Sequence, residues 1–101
     1  MAIQRIVKMT FKVEFADEFE LFFNEIKDQI AAQPGCSEVR LLRDKMDSGV
    51  FFTYSIWNEQ KSLDAYRTTE LFGMVWPKVK NWFADKPQAW STELKGIAYE
   101  K

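Results

Sequence analysis

The stretch GVFFTYSIW at residues 49–57 constrains the fold more than any other part of the sequence, because it is apolar on both of its sides. Successive side chains of a β-strand point to opposite faces of the sheet, and a strand with one side in water alternates apolar with polar residues. We therefore expect both faces of this strand to be covered. One face carries Val50, Phe52, Tyr54 and Ile56, and the other carries Phe51, Thr53, Ser55 and Trp57.

The residues before this stretch predict a strand, a helix and a second strand. Residues 3–13 alternate apolar with polar side chains, which is typical of a strand. Asp17 and Glu20 have the spacing of a capping box and predict the start of a helix. Apolar residues then recur at helical spacing until Pro34, which ends the helix. SEVRLLRD at residues 37–44 predicts the next strand.

The residues after the stretch predict a helical region and a final strand. Asn58 is expected to cap a helix that Gly73 interrupts. Pro77 fits the first turn of a further helical piece, and WSTELKGIAYE at residues 90–100 is typical of a last strand. The order is βαββαβ, so we predict an α+β, ferredoxin-like fold in a single domain over residues 1–101. Such a fold has a four-stranded antiparallel sheet with its helices on one face.

That arrangement leaves the second face of the sheet without a cover from its own helices. An exposed apolar face of this kind usually marks an interaction surface. The simplest cover is a second copy of the same sheet, because a two-fold interface pairs one surface with itself. We therefore predict a homodimer that forms through the sheet faces.

The absence of histidine excludes several chemistries. Nucleophiles activated by histidine are excluded, and so are histidine-ligated haem, zinc and non-haem iron sites. Acid–base work would need a carboxylate, a lysine or a tyrosine with a shifted pKa. No metal site is predicted. Cys36 is the only cysteine, so no internal disulfide can form, and we interpret it as a small apolar residue.

Charge and hydropathy exclude two classes of partner. The net charge is −1 and no basic stripe is present, so no nucleic-acid partner is expected. No apolar run approaches the roughly 18 residues of a membrane span, and the first residues do not resemble a signal peptide. These features predict a cytoplasmic protein without a membrane partner.

Several segments taken together resemble the antibiotic biosynthesis monooxygenase (ABM) superfamily. They are PGC after the first helix, VRLLRD, FFTYSIW followed by NEQKSLDAYRTTELF, and FADKPQAWS. The likeness extends from about residue 3 to residue 99, and the order and spacing of the segments are more specific than any one of them. The resemblance implies a dimeric α/β barrel, in which two sheets pack face to face. It also implies a pocket in each subunit between the sheet and its helices.

The haem-degrading branch of that superfamily is not expected here. Its motif has a tryptophan in the second helix and a haem-ligating histidine ten positions later. The corresponding positions of this sequence hold Tyr66 and Trp76. The branch also has an asparagine on the first strand, and residues 3–13 contain none.

The phenol-oxidising branch implies cofactor-independent oxygenation of an aromatic or quinol-type small molecule. Its substrate loses a proton and the anion transfers an electron to O2, without a metal or flavin. By this resemblance the pocket would be lined by aromatic walls, polar donors and one cation, although no residue stands out as the base. The candidate substrate-binding residues are Tyr54, Trp57, Tyr66, Arg67, Phe72 and Trp76.

Two alternatives to an enzyme stay open. The same pocket could belong to a non-enzymatic dimer that binds or senses a small molecule, or the dimer could be purely structural with side chains filling the pocket. A void of about 300 Å³ or more would argue against the structural alternative. Core packing is the competing interpretation for Tyr54, Trp57 and Trp76. Trp82 and Phe83 are expected in the core, and Arg67 could instead pair with Glu70 on a solvated helix face.

Overall fold

The computed structural model describes residues 2–100, which form a four-stranded antiparallel sheet in the order β2-β3-β1-β4 with its helices on one face. The predicted α+β, ferredoxin-like fold is confirmed, with the second helical region divided into two helices. The elements are β1 (Ile3–Thr10), α1 (Val13–Ala31), β2 (Cys36–Arg43), β3 (Val50–Trp57), α2 (Gln60–Tyr66), α3 (Glu70–Lys80) and β4 (Gln88–Thr92).

The register of the central strands fixes which side chains share a face. Tyr54 of β3 lies opposite Ile6 of β1, and the next residue, Ser55, lies opposite Arg5. Phe51 and Trp57 point toward the helices and are only 0% and 1% exposed. The predicted division of β3 into two faces therefore holds, and its helix-facing half is the floor of the core.

Aromatic rings make up much of that core. Phe11 stacks on Phe19 with ring centroids 4.2 Å apart, and Phe19 meets Phe51 edge-on at 5.1 Å. Trp82 is buried against Phe15 of α1 at 6.0 Å. Phe83 packs against the same cluster, so the prediction that Trp82 and Phe83 belong to the core is confirmed.

The predicted start of α1 is wrong. The helix begins at Val13, after an N-cap residue, Lys12, whose side chain makes no capping bond. Asp17 lies one turn inside the helix, and its carboxylate binds Arg43 of β2 at 2.9 Å instead of the helix N-terminus. Glu20 binds the same guanidinium at 3.1 Å. The capping-box spacing therefore marks an ion-pair cluster that joins α1 to β2.

The predicted boundaries in the second helical region are also wrong. Glu59, not Asn58, is the N-cap residue of α2. The Asn58 amide oxygen accepts a hydrogen bond from the Ser62 hydroxyl and makes no capping bond to the backbone. The break between the helices falls before Thr69 and not at Gly73. The Thr69 side chain accepts a hydrogen bond from the backbone of Phe72, which gives α3 a regular cap and leaves Gly73 inside the helix. Pro77 also lies inside α3.

The last strand is shorter than predicted and starts earlier. β4 covers Gln88–Thr92 and pairs only with β1. Its final pair joins Thr92 to Gln4, and β1 offers only Ile3 beyond that point. Residues 93–100 therefore have no strand to pair with and lie exposed.

The side of the sheet away from the helices keeps an apolar surface, which we call the open face. Leu42 is 52% exposed and Trp90 is 43% exposed. The four β3 residues on this side are half-buried by their neighbours alone. The apolar residues of the open face are Ile6, Leu42, Val50, Phe52, Tyr54, Ile56 and Trp90, and the same register places Lys8, Glu38 and Arg40 among them.

Candidate functional site

A cavity of about 290 Å³ lies between the helix-facing side of the sheet and the helices. Its volume lies just below the range of roughly 300–1,000 Å³ that small-molecule sites occupy. It is therefore also just below the void of about 300 Å³ that would argue against a purely structural dimer. Its floor comes from β1, β2, β3 and β4, and its roof comes from all three helices.

Four aromatic side chains form a continuous wall of this cavity. Trp57 stacks on Tyr66 with ring centroids 5.3 Å apart. Tyr66 meets Phe72 edge-on at 5.4 Å, and Phe72 stacks on Trp76 at 6.0 Å. Contacts of this kind hold each ring in place, so the wall offers fixed flat surfaces to an aromatic ligand.

Trp57 has a structural role as well as a place in the wall. It ends β3 with only 1% of its surface exposed. Its indole Nε1 donates a hydrogen bond of 2.9 Å to the hydroxyl of Ser55, which lies two residues earlier on the same face. Because that donor is already used and the ring is buried against Tyr66, Trp57 supports the wall from behind and does not offer its N–H group to a ligand.

Tyr66 ends α2 and brings a phenol into the aromatic wall. Burial raises the pKa of Tyr66 to about 12, and the nearby Cys36 adds to the effect. Burial also raises the pKa of Cys36, so both groups keep their protons at neutral pH. Tyr66 can therefore donate a hydrogen bond to a ligand oxygen, but it is a poor base.

Two arginines are the charged side chains among the described residues that line the cavity. Arg5 lies on β1, is half-buried, and donates a hydrogen bond of 3.0 Å to the Ser91 hydroxyl. Arg67 follows α2 and is exposed. Burial lowers the pKa of Arg5 and the charge of Arg67 lowers it further, whereas Asp64 acts in the opposite direction. The guanidiniums are thus close enough to repel each other.

Sequence reasoning missed Arg5, although a signal was present. The alternation of β1 places Arg5 on the same face as Val7 and Met9, which point into the core. A charged residue at an inward position of a strand is unusual, because burial of a charge is unfavourable without a partner. That position was therefore a sign of a polar ligand or a solvent-filled cavity.

Five of the six predicted site residues line this one cavity, and Tyr54 does not. The five are Trp57, Tyr66, Arg67, Phe72 and Trp76. Tyr54 is three positions before Trp57, and an odd separation on a strand puts two side chains on opposite faces. Tyr54 accordingly lies on the open face beside Ile6. A substrate-binding role for the other five stays a prediction.

Residues 2–100 offer no cluster of three or more histidine, cysteine, aspartate or glutamate side chains that could hold a metal ion. Within the same residues, no helix has the length and apolar character that a membrane span requires. The predicted ion pair between Arg67 and Glu70 is also not found among them.

The fold and the cavity define a class of small α+β protein, with an aromatic pocket enclosed between an antiparallel sheet and its helices. The family described as antibiotic biosynthesis monooxygenase, or ABM, matches residues 2–75 of the sequence. The match covers most of the chain, from β1 through α2 and into α3. This chain belongs to the ABM family.

Solved structures share the fold over nearly the whole chain. A conserved protein from Methanosarcina mazei has a TM-score of 0.87 at 17% identity, with 94% of each chain covered. An antibiotic biosynthesis monooxygenase has a TM-score of 0.86 at 20% identity, with 93% of this chain and 99% of that chain covered. A mutant of SnoaB, a cofactor-independent oxygenase from Streptomyces nogalater, has a TM-score of 0.86 at 15% identity, with 98% of each chain covered.

At these levels of identity the similarity establishes the fold and not the reaction. No curated protein matches the sequence significantly.

Proposed function

We propose that this protein is a cofactor-independent monooxygenase that oxidises an aromatic, quinol-type small molecule. The observation that carries the proposal is the cavity of about 290 Å³ with its wall of Trp57, Tyr66, Phe72 and Trp76. The S. nogalater oxygenase, which has the same fold, supports the assignment. A volume of about 290 Å³ favours a small aromatic molecule of one or two fused rings.

The reaction would convert a ring C–H group para to a hydroxyl, or ortho to one in a quinol, into a C–O group of a quinone. The hydroxyl loses its proton, and the anion gives one electron to O2, which forms an aryloxyl radical and superoxide. These combine through a new C–O bond into a peroxide, whose O–O bond breaks as water leaves. One oxygen atom enters the product and the other becomes water, so the substrate loses four electrons and O2 gains four.

The protein's part in this reaction is to hold the substrate and to stabilise its charge. The aromatic wall would stack on the ring and exclude water from the radical pair. Tyr66 keeps its proton, so its hydroxyl would donate a hydrogen bond to the substrate oxygen. Arg67 would stabilise the anion through its positive charge.

We further propose that the protein works as a homodimer whose two open faces pack against each other. The open face carries Phe52, Tyr54 and Trp90 in positions that the single chain leaves partly exposed. Aromatic residues are enriched at the buried centres of protein interfaces. The cavity lies on the other side of the sheet, so such a dimer would leave it free.

A second candidate function is binding or sensing of an aromatic molecule without turnover. The observation that favours it is the absence of a general base among the described residues that line the cavity. An enzyme of the proposed kind must either take a substrate that ionises by itself or use a residue outside the cavity.

Oxygen consumption with a panel of quinols and naphthols separates these candidates. We expect uptake that stays linear in enzyme concentration and falls at least tenfold in Trp76→Leu, which removes a wall of the cavity. Met46→Leu is the matched control, because Met46 is 92% exposed and does not line the cavity. Compounds that raise the melting temperature without any uptake would contradict the enzyme and leave the binding protein.

A further inference from the structure

The cavity has two chemically different ends. Its interior is lined by apolar and aromatic residues, whereas Arg5 and Arg67 bring two positive charges to one side. Arg67 is exposed, so this side is also where the cavity meets solvent. A ligand that fits both ends must combine a flat apolar body with a negatively charged group.

The positive charge at this end is not neutralised by the protein. Among residues 2–100, neither Arg5 nor Arg67 forms an ion pair. Arg5 bonds to the neutral hydroxyl of Ser91. Asp64 is the carboxylate that acts on Arg5, but it does not line the cavity and accepts a hydrogen bond of 2.9 Å from Gln60. Burial is the largest influence on the pKa of Arg5, and the repulsion from Arg67 outweighs the attraction from Asp64.

No group in the cavity can remove a proton from a ligand at neutral pH. The lining residues described here include no carboxylate, lysine or cysteine, and the chain has no histidine. Tyr66 holds its own proton because burial raises its pKa to about 12. A hydroxyl that binds here therefore has no side chain of the cavity to take its proton, and water at the end of the cavity that solvent reaches is the acceptor that remains within it.

We propose that Arg5 and Arg67 together form an anion site that binds an aromatic hydroxyl compound as its oxide anion and so replaces a general base. The hydroxyl proton goes to solvent water, and the two guanidiniums hold the negative oxygen that remains. The ligand class is then aromatic hydroxyl compounds that ionise readily. In this proposal Arg5 is a specificity-determining residue, because its charge favours ligands that bind as anions. For turnover the inference rests on the proposed oxygenase function, whereas anion binding does not depend on it.

Binding of 4-nitrophenol tests the anion site directly, because the absorbance of its neutral and anionic forms differs. We expect the pKa of the bound phenol to lie about 1 unit or more below its value in solution, which is the effect of an opposite charge within roughly 4–6 Å. Arg5→Met and Arg67→Met should each reverse at least half of that decrease, so that the pKa of the bound phenol returns toward its solution value. Lys45→Met removes the same charge from the exposed β2–β3 loop and should leave the shift unchanged.

Asp64 lies on the surface of α2, and Asp64→Asn should change the pKa of the bound phenol in the opposite direction to the two arginine variants. If Asp64 only weakens the positive field, its loss should lower the pKa of the bound phenol further and tighten binding. If Asp64 were instead a base that reaches the cavity, its loss would abolish oxygen uptake and leave the phenol shift unchanged, which would overturn the inference.

Failure of 4-nitrophenol to bind up to millimolar concentration, or a bound pKa at or above the solution value, would also overturn the anion site. The proposed oxygenase is judged separately by oxygen uptake. A lowered phenol pKa without uptake of oxygen by any quinol would keep the anion site and remove the oxygenase.

Discussion

The helix-facing side and the open face of the sheet share the strand β3, yet their apolar residues have different surroundings. Phe51 and Trp57 on the helix-facing side are 0% and 1% exposed, whereas Phe52 and Tyr54 on the open face are only half-buried. The part of the chain that the structure describes covers one side and not the other. We propose that the second side of this strand, which is apolar as well, is covered by a second copy of the chain.

The largest expected difference between the two sides is in stability. Phe51→Ala should lower the free energy of unfolding by about 3–5 kcal/mol, because it leaves a cavity in a fully packed site. Phe52→Ala should lower it by about 1 kcal/mol in dilute protein, where the open face is exposed. Urea denaturation measures both values.

Protein concentration sharpens this prediction. The loss in Phe52→Ala should grow as the protein concentration rises, because a dimer would bury that side chain, whereas the loss in Phe51→Ala should not change. Equal losses for the two variants at every concentration would contradict the distinction between the two sides.

A smaller effect is expected in the titration of Tyr66, which lies on the helix-facing side. Its folded pKa of about 12 lies above its ordinary value of 10, so folding favours the protonated form. The stability that this group contributes is complete below pH 10 and is lost as the pH rises toward 12. Spectroscopic titration of tyrosinate should show a component near pH 12 in the folded protein.

That component should be absent from Tyr66→Phe and present in Tyr54→Phe, which changes the open face instead. A Tyr66 component at the ordinary tyrosine value would mean that the aromatic wall is open to water.

The smallest expected effect concerns the ion-pair cluster between α1 and β2. Asp17→Asn should change the free energy of unfolding by no more than about 0.5 kcal/mol, because Asp17 is 91% exposed and Arg43 keeps its bond to Glu20. Thermal or urea denaturation of this variant beside the unchanged protein gives the value. A loss above about 2 kcal/mol would show that the cluster fixes the packing of α1 on the sheet.

The sequence predicted the parts of the fold that depend on periodicity. The alternation in β3 correctly predicted which of its side chains share each face of the sheet. The helical spacing around Phe19 correctly predicted which side of α1 faces the core. Boundaries were less predictable, because Asp17 and Asn58 both match the pattern of a cap but bind side chains instead. The Thr69 cap followed the same rule and was overlooked.

The candidate site was predictable only in part. Aromatic residues in and around α2 and α3 identified most of the wall, since helix spacing keeps them on one side. Tyr54 was placed in the same pocket although its position on β3 requires the opposite face. Arg5 was missed because its proposed role depends on Arg67, which is distant in sequence and acts on it only in the folded chain.

Sedimentation equilibrium of the unchanged protein at micromolar concentration tests the central claim, which is that the two sides of the sheet have two different covers. We predict a mass twice that of the 11.9 kDa chain, and a shift to the single-chain mass in Tyr54→Asp, which puts a charge on the open face. The unchanged protein would contradict the account if it sedimented as a single 11.9 kDa chain, because its open face would then have no partner.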